Sequence, residues 1–425
     1  MNVYMATLGC RLNEAELQTW TRDFHAAGHV VRDSPDGADV VVVNSCAVTR
    51  EAAKKSRQLV RKVQRTNPAA KLVLTGCYAS IEPERAAALE GVDLVVDNRH
   101  KAELVKRVVS VVGTEDMPAL AQVPGESFAH RPGRTRAFVK VQDGCRNRCT
   151  FCIVTVARGD ERSRTIADIC AEVRDLHASG YDEVVLTGVH LGGYGEHSGV
   201  TLKHLIEAVL TDTDVPRVRL GSLEPWDLPP DFFELWEHPR LMPHLHLPLQ
   251  SGSDTVLKRM SRRCPTERYA ALIERARDQV PGLVVTTDLI VGFPGESEHE
   301  FAETLTFIDA MDFAHMHIFQ YSPRKGTKAA RLPGQVAPEL KRARSLQARQ
   351  AAAAMKARVL AGFIGQTRQM LCERANDRGQ MSGYTDNYLR LELEGARPEL
   401  TGRVVPARII ALVDGHRLQA EIGPD

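Results

Sequence analysis

Three closely spaced cysteines constrain this chain more than any other feature of its sequence. Cys145, Cys149 and Cys152 follow residues 137–141, whose alternating apolar and β-branched side chains predict a strand. Gly144 lets the backbone turn tightly where that strand ends. We therefore expect these three thiols, called the loop trio below, on one loop at the carboxyl end of a strand.

The C-x3-C-x2-C spacing of the loop trio favours an iron–sulfur cluster, because thiolates are the preferred ligands of such clusters. A four-iron cluster held by three cysteines keeps one iron open for a substrate or cofactor. A zinc site would need four ligands, and no fourth Cys or His stands beside the trio, so a distant residue would have to complete it. A disulfide would leave one thiol over and would need an oxidising compartment.

Composition narrows the class of protein. With 425 residues, 43% hydrophobic and 26% charged, the chain is predicted to be globular with two or three domains. We find no apolar run that could span a bilayer and no signal-peptide pattern, and nine cysteines fit a reducing compartment. We therefore expect a cytoplasmic protein without a membrane anchor. A net charge of +1 means that any nucleic-acid surface must be a local patch.

Residues 1–113 predict a parallel α/β domain, because valine-rich segments alternate with helical patterns. The predicted strands are residues 3–8, 39–43, 71–75 and 94–96. Cys10, Cys46 and Cys77 follow the first three of these strands. Because the carboxyl ends of parallel strands share one edge of a sheet, these thiols should converge and hold a second cluster. We call them the sheet trio; any one of them alone could instead be a small buried residue.

The rest of the chain predicts a linker and two further domains. Residues 114–133 are rich in Pro and Gly, which predicts a linker. Residues 134–361 alternate again between strands and helices, which indicates a partial or complete parallel barrel with its site at the strand carboxyl ends. Its predicted strands are residues 138–141, 183–187, 217–221, 244–247, 283–287 and 315–319. Residues 362–425 predict a small β-barrel, and the fold class is α/β overall.

Several residues of the predicted central barrel could bind a cofactor, because they follow its strands. These candidates are Gly192, Gly193, Glu224, Gln250, Ser251 and Asp288. Each alone could equally be a capping or solvated residue. Three histidines could act as general bases, although a structural role is favoured: His190, His244 and His246. Three other cysteines are expected to be structural thiols: Cys170, Cys264 and Cys372.

Two basic segments and two aromatic residues could contact nucleic acid, with solvated faces and core packing as the alternatives. One basic segment lies on the helix predicted over residues 51–65 and comprises Lys54, Lys55, Arg57, Arg61 and Lys62. The other is the helix predicted over residues 338–360, which carries cations from Lys341 to Arg358. In the small barrel, Tyr384 and Tyr388 could stack on bases.

Taken together, these motifs resemble the radical S-adenosylmethionine (SAM) methylthiotransferase family over nearly the whole chain. The matching segments are residues 7–14, 44–49, 75–79, 144–164, 292–296, 321–327 and 383–388. The resemblance implies an N-terminal methylthiotransferase domain (1–113), a radical SAM core (134–361) and a C-terminal TRAM domain that binds RNA (362–425). It also implies two [4Fe-4S] clusters, one on each cysteine trio, and SAM as a cofactor, for which the six barrel residues named above are the candidate ligands.

The activity that the resemblance implies is addition of a methylthio group to C2 of an adenine in tRNA. One SAM would methylate a sulfur on the N-terminal cluster, and a second would yield a radical that removes hydrogen from C2. The branch that modifies N6-threonylcarbamoyladenosine beside the anticodon is favoured; N6-isopentenyladenosine, or a non-catalytic RNA-binding iron–sulfur protein, is the alternative. Expected partners are the tRNA anticodon loop and an electron donor such as flavodoxin or ferredoxin, with the protein a monomer.

Overall fold

The computed structural model describes residues 1–112, 135–196, 198–376, 379–395 and 397–422. The predicted linker, residues 114–133, lies outside the described residues. Within those described ranges, no helix combines the length and the apolar character needed to cross a bilayer.

Contacts between residues divide the chain into two units. Unit 1 comprises the described residues within Met1–His130, Gln142–Arg162 and Ser322–Thr327. Unit 2 comprises those within Arg131–Val141, Ser163–Tyr321 and Lys328–Asp425. Both cysteine trios therefore belong to unit 1.

A five-stranded sheet forms the centre of unit 1. Its strands are β1 (Asn2–Thr7), β2 (Val30–Arg32), β3 (Val40–Ser45), β4 (Lys71–Gly76) and β5 (Val92–Val96). Their order is β2-β1-β3-β4-β5, and all neighbours are parallel, which confirms the predicted parallel sheet. The sequence prediction missed β2, because a strand of three largely exposed residues has no apolar pattern.

Helices cover both faces of this sheet. They are α1 (Arg11–Ala26), α2 (Arg50–Thr66), α3 (Cys77–Ile81), α4 (Pro83–Ala87) and α5 (Leu104–Val112), with α6 (Val154–Arg158) in the segment of the loop trio. Alternate side chains of β3 face opposite ways. Val40 and Val42 pack with Trp20 of α1, whereas Val41 and Val43 pack with α2. Both faces of β3 are therefore buried, as its run of valines requires.

Six parallel strands form a half-barrel in unit 2. They are β6 (Ala137–Lys140), β9 (Glu183–Thr187), β10 (Arg217–Leu220), β11 (His244–His246), β12 (Val284–Val291) and β13 (His315–Gln320). Two three-stranded sheets, in the orders β10-β9-β6 and β11-β12-β13, are joined by parallel bridges from Val218 to Leu241 and from Ser222 to His246. The prediction of a partial parallel barrel is confirmed. Two-residue strands β7 (Gln142–Asp143) and β8 (Arg162–Ser163) lie between β6 and β9 in the chain.

Helices pack against the outer face of the half-barrel. They are α7 (Ile166–Ala178), α8 (Leu202–Asp212), α9 (Asp254–Arg259), α10 (Thr266–Gln279), α11 (Glu298–Asp309) and α12 (Pro338–Ala361). Short 3-10 helices occupy Lys101–Glu103 in unit 1 and Leu191–Gly193, Phe232–Glu237, Ala329–Arg331 and Pro398–Leu400 in unit 2. The core of unit 2 lies between the strands and these α-helices, where Leu186, Val218 and Leu245 are buried.

A closed five-stranded barrel completes unit 2 and confirms the predicted C-terminal β-barrel. Its strands are β14 (Thr367–Cys372), β15 (Met381–Thr385), β16 (Arg390–Leu393), β17 (Val404–Val413) and β18 (Arg417–Ile422), in the order β14-β15-β16-β18-β17. Ser382 and Gly383 weaken the apolar pattern of β15, so this strand is the least evident of the five in the sequence.

Candidate active site

The loop trio lies on a tight loop between β7 and α6. Gly144 adopts φ 77°, and a Cβ at this position would lie 1.9 Å from the carbonyl oxygen of Asp160, so only glycine fits. The amide of Cys145 donates to the carbonyl of Gly159 (3.1 Å), and the amide of Cys152 donates to that of Cys149 (3.0 Å). Backbone hydrogen bonds within the loop thus fix where the three thiols lie.

Burial sets the protonation of this loop. Cys145 is buried, while Cys149 and Cys152 are half-buried. Burial raises the pKa of the Cys145 thiol to about 12, and the neighbouring thiols Cys152 and Cys149 add to this effect. The thiol is therefore protonated at neutral pH unless a metal displaces its proton.

The sheet trio is assembled by the order of the strands. Cys10 precedes α1, Cys46 follows β3 and Cys77 opens α3 directly after β4, and β1, β3 and β4 are neighbours in the sheet. Gly9 comes so close that a Cβ there would lie 3.1 Å from the sulfur of Cys46. Burial raises the pKa of Cys46 to about 11, and Cys77 and Cys10 raise it further. The structure therefore brings the three thiols within electrostatic range of one another.

Ser56 of α2 fixes the loop that carries Cys46. The amide of Cys46 donates to Ser56 Oγ (3.0 Å), and that hydroxyl donates to the carbonyl of Cys46 (2.9 Å). Ser56 is fully buried. One side chain of α2 thus satisfies both backbone groups of Cys46, and α2 is attached to the sheet trio.

Arg158 joins the segment of the loop trio to the N-terminal sheet domain. Its guanidinium donates to Glu16 Oε1 (2.9 Å), Asp143 Oδ1 (3.0 Å) and Asn13 Oδ1 (2.9 Å). Arg158 and Glu16 are each 2% exposed. Burial lowers the pKa of Arg158, but the electrostatic effects of Glu16, Cys77 and Asp143 outweigh it, so that the pKa lies well above its ordinary value. Arg158 therefore stays charged beside the sheet trio.

Lys101 and Asn44 complete this buried network. Lys101 Nζ lies 2.5 Å from Glu16 Oε2, and Asn44 Nδ2 donates to the same oxygen (2.9 Å). Lys101 also contacts Asn44 Oδ1 (3.2 Å). Two buried cations thus share the carboxylate of Glu16, and Asp143 supplies the second negative charge. Sequence analysis missed this network, because a charged residue that becomes buried carries no local pattern.

Asn98 is a second residue that sequence analysis missed. Its side-chain amide donates to the carbonyl of Ala157 in α6 (2.7 Å) and lies 3.8 Å from the sulfur of Cys77. Asn98 is 3% exposed. It therefore links a thiol of the sheet trio to the helix that follows the loop trio, and no sequence signal in the segment around it would have revealed this.

The predicted cofactor residues of unit 2 lie at the carboxyl side of the half-barrel, in different surroundings. Glu224 follows β10 and forms an ion pair with Arg262 (2.7 Å). Gln250 has φ 74° and exchanges backbone hydrogen bonds with β12, while Ser251 is buried beside Thr304 (3.3 Å). Glu224 and Gln250 thus stand after strands, as predicted.

Asp288 and the glycine pair complete the predicted set. Asp288 lies within β12 rather than after it, because β12 continues to Val291, four residues past the predicted strand end. The backbone of Gly192 is so close to Asp227 that a Cβ would lie 2.6 Å from the Asp227 Cβ. Gly192 and Gly193 are the last two residues of the 3-10 helix Leu191–Gly193.

The three candidate histidines all have partners, which fits the structural role that the sequence favours. His190 Nε2 lies 2.6 Å from Asp227, and His246 Nε2 lies 3.4 Å from Asp288. His244 shares the Thr286 hydroxyl with His246. The three remaining cysteines are buried in hydrophobic cores, as expected: Cys170, Cys264 and Cys372.

Tyr384 and Tyr388 lie where the small barrel meets the half-barrel within unit 2. Their rings stack on each other with centroids 4.7 Å apart. The guanidinium of Arg136 lies 4.4 Å from the ring of Tyr384, and that of Arg219 lies 4.7 Å from the ring of Tyr388. Protein groups therefore contact both rings, which favours the packing alternative over base stacking.

Comparison with known proteins gives two family models and a set of relatives. The radical SAM superfamily model matches residues 139–308, and the model of an uncharacterized protein family, UPF0004, matches residues 2–97. The threonylcarbamoyladenosine tRNA methylthiotransferase MtaB of Thermotoga maritima is 37% identical over 93% of this chain and 92% of its own length. MtaB of Bacillus subtilis is 35% identical over 95% and 92%. The tRNA-2-methylthio-N(6)-dimethylallyladenosine synthase of Staphylococcus haemolyticus is 31% identical over 95% and 81%.

Solved structures show the same fold at low identity. The radical SAM methyltransferase TsrM from Kitasatospora setae has a TM-score of 0.58 at 15% identity, over 77% of both chains. The radical enzyme OxsB has a TM-score of 0.52 at 12% identity, over 83% of this chain and 56% of its own. The family is identified by sequence similarity that extends over nearly the full length of this chain. This chain belongs to the radical SAM tRNA methylthiotransferases.

Proposed function

We propose that this enzyme adds a methylthio group to C2 of N6-threonylcarbamoyladenosine in tRNA. The observation that carries the proposal is that one unit contains two separate sets of three thiols, since methylthiolation needs both a radical source and a sulfur carrier. Relatives named for this nucleoside are 37% and 35% identical, against 31% for one named for the dimethylallyl nucleoside. The second nucleoside remains the alternative substrate.

Each trio is proposed to hold one [4Fe-4S] cluster. Three soft sulfur ligands fit such a cluster and leave one iron for SAM at the loop trio and for sulfur at the sheet trio. When bound, the clusters supply the electron that cleaves SAM and the sulfur that is methylated and transferred. The chain's own contribution is position: Gly144 and the Gly159 carbonyl hold the loop trio, while Ser56 and the strand order hold the sheet trio.

Arg158 and Asn98 are proposed as positioning residues. Arg158 holds Asn13 and Glu16 of α1 against Asp143 beside the loop trio. Asn98 holds α6 beside Cys77. Removal of hydrogen from C2 needs no acidic proton, so this function does not require a general base among the candidate histidines.

SAM is proposed to bind at the carboxyl ends of the half-barrel strands. The six residues of this proposal are Gly192, Gly193, Glu224, Gln250, Ser251 and Asp288. Carboxylates can accept from the amine and ribose hydroxyls of SAM, and a glycine backbone allows close approach. Residues 1–113, 134–361 and 362–425 remain the predicted methylthiotransferase, radical SAM and TRAM domains.

For tRNA, the exposed face of α2 is the proposed phosphate-binding surface. Of the predicted cations, Lys54, Lys55, Arg61 and Lys62 are exposed, as is Arg65, whereas Arg57 is half-buried beside the ring of Tyr78. No carboxylate of the described residues lies within ion-pair distance of the five exposed cations. Phosphates of RNA would neutralise this face with release of counterions. Because Ser56 attaches the buried face of α2 to Cys46, RNA held on the exposed face would contact the helix that supports the sheet trio. The anticodon loop exposes its bases for such an approach.

The proposal also covers the electron donor, the cellular compartment and the oligomeric state. An external reductant such as flavodoxin or ferredoxin would supply the electron for SAM cleavage. Iron–sulfur clusters and nine cysteines without a disulfide fit the reducing cytoplasm. The enzyme is proposed to act as a monomer, because both trios lie in one chain.

Mass spectrometry of tRNA nucleosides tests this function. Deletion of the gene should remove 2-methylthio-N6-threonylcarbamoyladenosine, and the wild-type chain should restore it. Loss of the isopentenyl nucleoside instead would establish the alternative substrate. If the purified reduced enzyme released no 5′-deoxyadenosine from SAM, the chain would be a non-catalytic RNA-binding protein and the proposed function would be wrong.

A further inference from the structure

A cleft of about 730 Å³ lies in unit 2 between the half-barrel and the small barrel. It opens at the amino-terminal ends of β9 to β12, the opposite ends from those that carry the predicted cofactor residues. Its walls include Arg217 at the start of β10, Trp236, and Arg403 before β17. A cleft of this volume is large enough for a small organic ligand.

The wall of the cleft carries a buried charge that its neighbours do not balance. Glu183 Oε1 accepts from Arg219 Nε (3.0 Å), and Glu183 Oε2 lies 3.0 Å from Arg217 Nε. Arg136 approaches the same carboxylate at 3.9 Å. Glu183 thus faces three guanidinium groups, and among the described residues only Arg136 has a further carboxylate within ion-pair distance, that of Glu373 (2.8 Å).

Arg217 uses only part of its guanidinium in this group, since its Nε lies 3.0 Å from Glu183 and donates to the Met242 sulfur (3.3 Å). It is 4% exposed, and its two terminal nitrogens find no partner among the described residues. Burial lowers the pKa of Arg217, as does repulsion from Arg219 and Arg136, although Glu183 opposes this. A buried guanidinium with unsatisfied donors is unfavourable, and an anion beside it would relieve this cost.

Other polar groups of the cleft add one cation and two carboxylates. Arg403 is exposed and has no carboxylate of the described residues within ion-pair distance, and Gln369 offers an amide. Asp386 is paired with Arg368 at 3.0 Å, so its charge is already balanced. Asp182 lies 3.9 Å from His177 and opposes an anion. Three buried guanidinium groups share Glu183 and Glu373, and Arg403 adds a further cation, so the positive charge on this side of the cleft exceeds the opposing charge of Asp182.

Trp236 gives the cleft a flat apolar wall. Its indole Nε1 donates to the carbonyl of Met242 (3.0 Å), which fixes the ring. Pro216 and Pro243 line the cleft as well. A flat wall combined with arginine suits a ligand with a planar ring and a phosphate, because aromatic rings stack on bases and guanidinium groups bind phosphate oxygens.

We propose that this cleft binds a nucleotide, with its phosphate at Arg217 and Arg403 and its base against Trp236. Binding requires the guanidinium of Arg217 to turn toward the cleft, because its terminal nitrogens are covered in this structure. The ligand is either a free nucleotide or one nucleotide of a bound RNA strand. The site is independent of the proposed methylthiolation and would stand even if that function were wrong.

Isothermal titration of the cluster-loaded full-length enzyme tests the site. S-adenosylhomocysteine in excess keeps ligands out of the SAM site, and adenosine 5′-monophosphate is compared with adenosine. The monophosphate should bind, and adenosine should bind roughly tenfold more weakly. Arg403→Ser should weaken monophosphate binding about tenfold, while Arg408→Ser, an exposed arginine of β17 outside the cleft, should have no effect.

Filter binding of labelled tRNA distinguishes the two sources of the nucleotide. If the monophosphate does not bind but Arg403→Ser weakens tRNA binding several-fold more than Arg408→Ser does, the ligand is part of an RNA strand. Trp236→Leu should then give the same loss. The proposal is overturned if neither ligand distinguishes Arg403→Ser from Arg408→Ser.

Discussion

The two cysteine trios of unit 1 are built in opposite ways. The loop trio comes from one short segment, whose geometry depends on Gly144 and on backbone hydrogen bonds within the loop. The sheet trio comes from three segments far apart in the chain, and the order of β1, β3 and β4 brings them together. A local loop needs only its own turn, whereas the sheet trio needs a folded sheet.

Because of this difference, different structural changes should disturb the two trios. A change in the packing of the sheet should disturb the sheet trio first. The two trios are nevertheless not independent, since Arg158 and Asn98 tie the segment of the loop trio to the domain of the sheet trio. The comparison therefore concerns two sites with separate ligands and shared support.

The largest effects on activity are expected when a cysteine of either trio is replaced, and they should differ between the two trios. Cys46→Ala should abolish methylthiolation but leave release of 5′-deoxyadenosine from SAM detectable. Cys149→Ala should abolish both, because it removes a ligand of the proposed SAM-cleaving cluster. Both products are measured by mass spectrometry in one reaction. Full methylthiolation by Cys46→Ala would show that the sheet trio has no role in the reaction.

The next largest effect is expected when Arg158, which supports both trios, is replaced. Arg158→Met leaves the buried carboxylates of Glu16 and Asp143 without their common partner, which should destabilise unit 1 by about 3–5 kcal/mol. Denaturant unfolding, with cluster content measured alongside, reports this loss. Arg148→Met is the control, because Arg148 is exposed on the loop that carries the loop trio and its replacement should cost little stability. Equal stability of the two variants would contradict the proposed support.

A weaker effect is expected on the exposed face of α2, the proposed phosphate-binding surface. The double variant Lys54→Gln, Lys62→Gln should lose about two phosphate contacts. The slope of log K for tRNA binding against log salt concentration should therefore become shallower by about two. The matched control is Arg342→Gln with Arg358→Gln on α12, since Glu339 and Asp312 already pair with these arginines (2.8 and 2.9 Å). Filter binding at several salt concentrations measures both slopes. A larger change for the α12 pair would move the RNA surface to that helix.

The smallest effect is expected at Asn98. Asn98→Ala removes the hydrogen bond to the Ala157 carbonyl (2.7 Å) and should cost about 1–3 kcal/mol. Because Asn98 also lies 3.8 Å from the Cys77 sulfur, the electron paramagnetic resonance signal of the sheet-trio cluster should shift more than that of the loop-trio cluster. A shift confined to the loop-trio signal would refute this placement.

The sequence could predict much of both trios, for different physical reasons. The loop trio follows directly from residue spacing. The sheet trio required one further step, the rule that carboxyl ends of parallel strands meet at one edge, and β1, β3 and β4 follow that rule. The half-barrel and the C-terminal barrel were predicted from alternating patterns in the same way.

What the sequence could not predict depends on tertiary contacts. Glu16, Lys101 and Arg158 resemble ordinary surface charges until the fold buries them together. Tyr384 and Tyr388 were open to two interpretations, and only their contacts with Arg136 and Arg219 favour packing. The two basic helices likewise look alike in sequence, and only the positions of neighbouring carboxylates distinguish α2 from α12.

The most direct test of the central claim is a count of clusters after anaerobic reconstitution, by iron and sulfide analysis with Mössbauer spectroscopy. The account predicts two [4Fe-4S] clusters in the wild-type chain and one in each of Cys46→Ala and Cys149→Ala. A wild-type chain that loads only one cluster would contradict it, as would a wild-type cluster content in either variant.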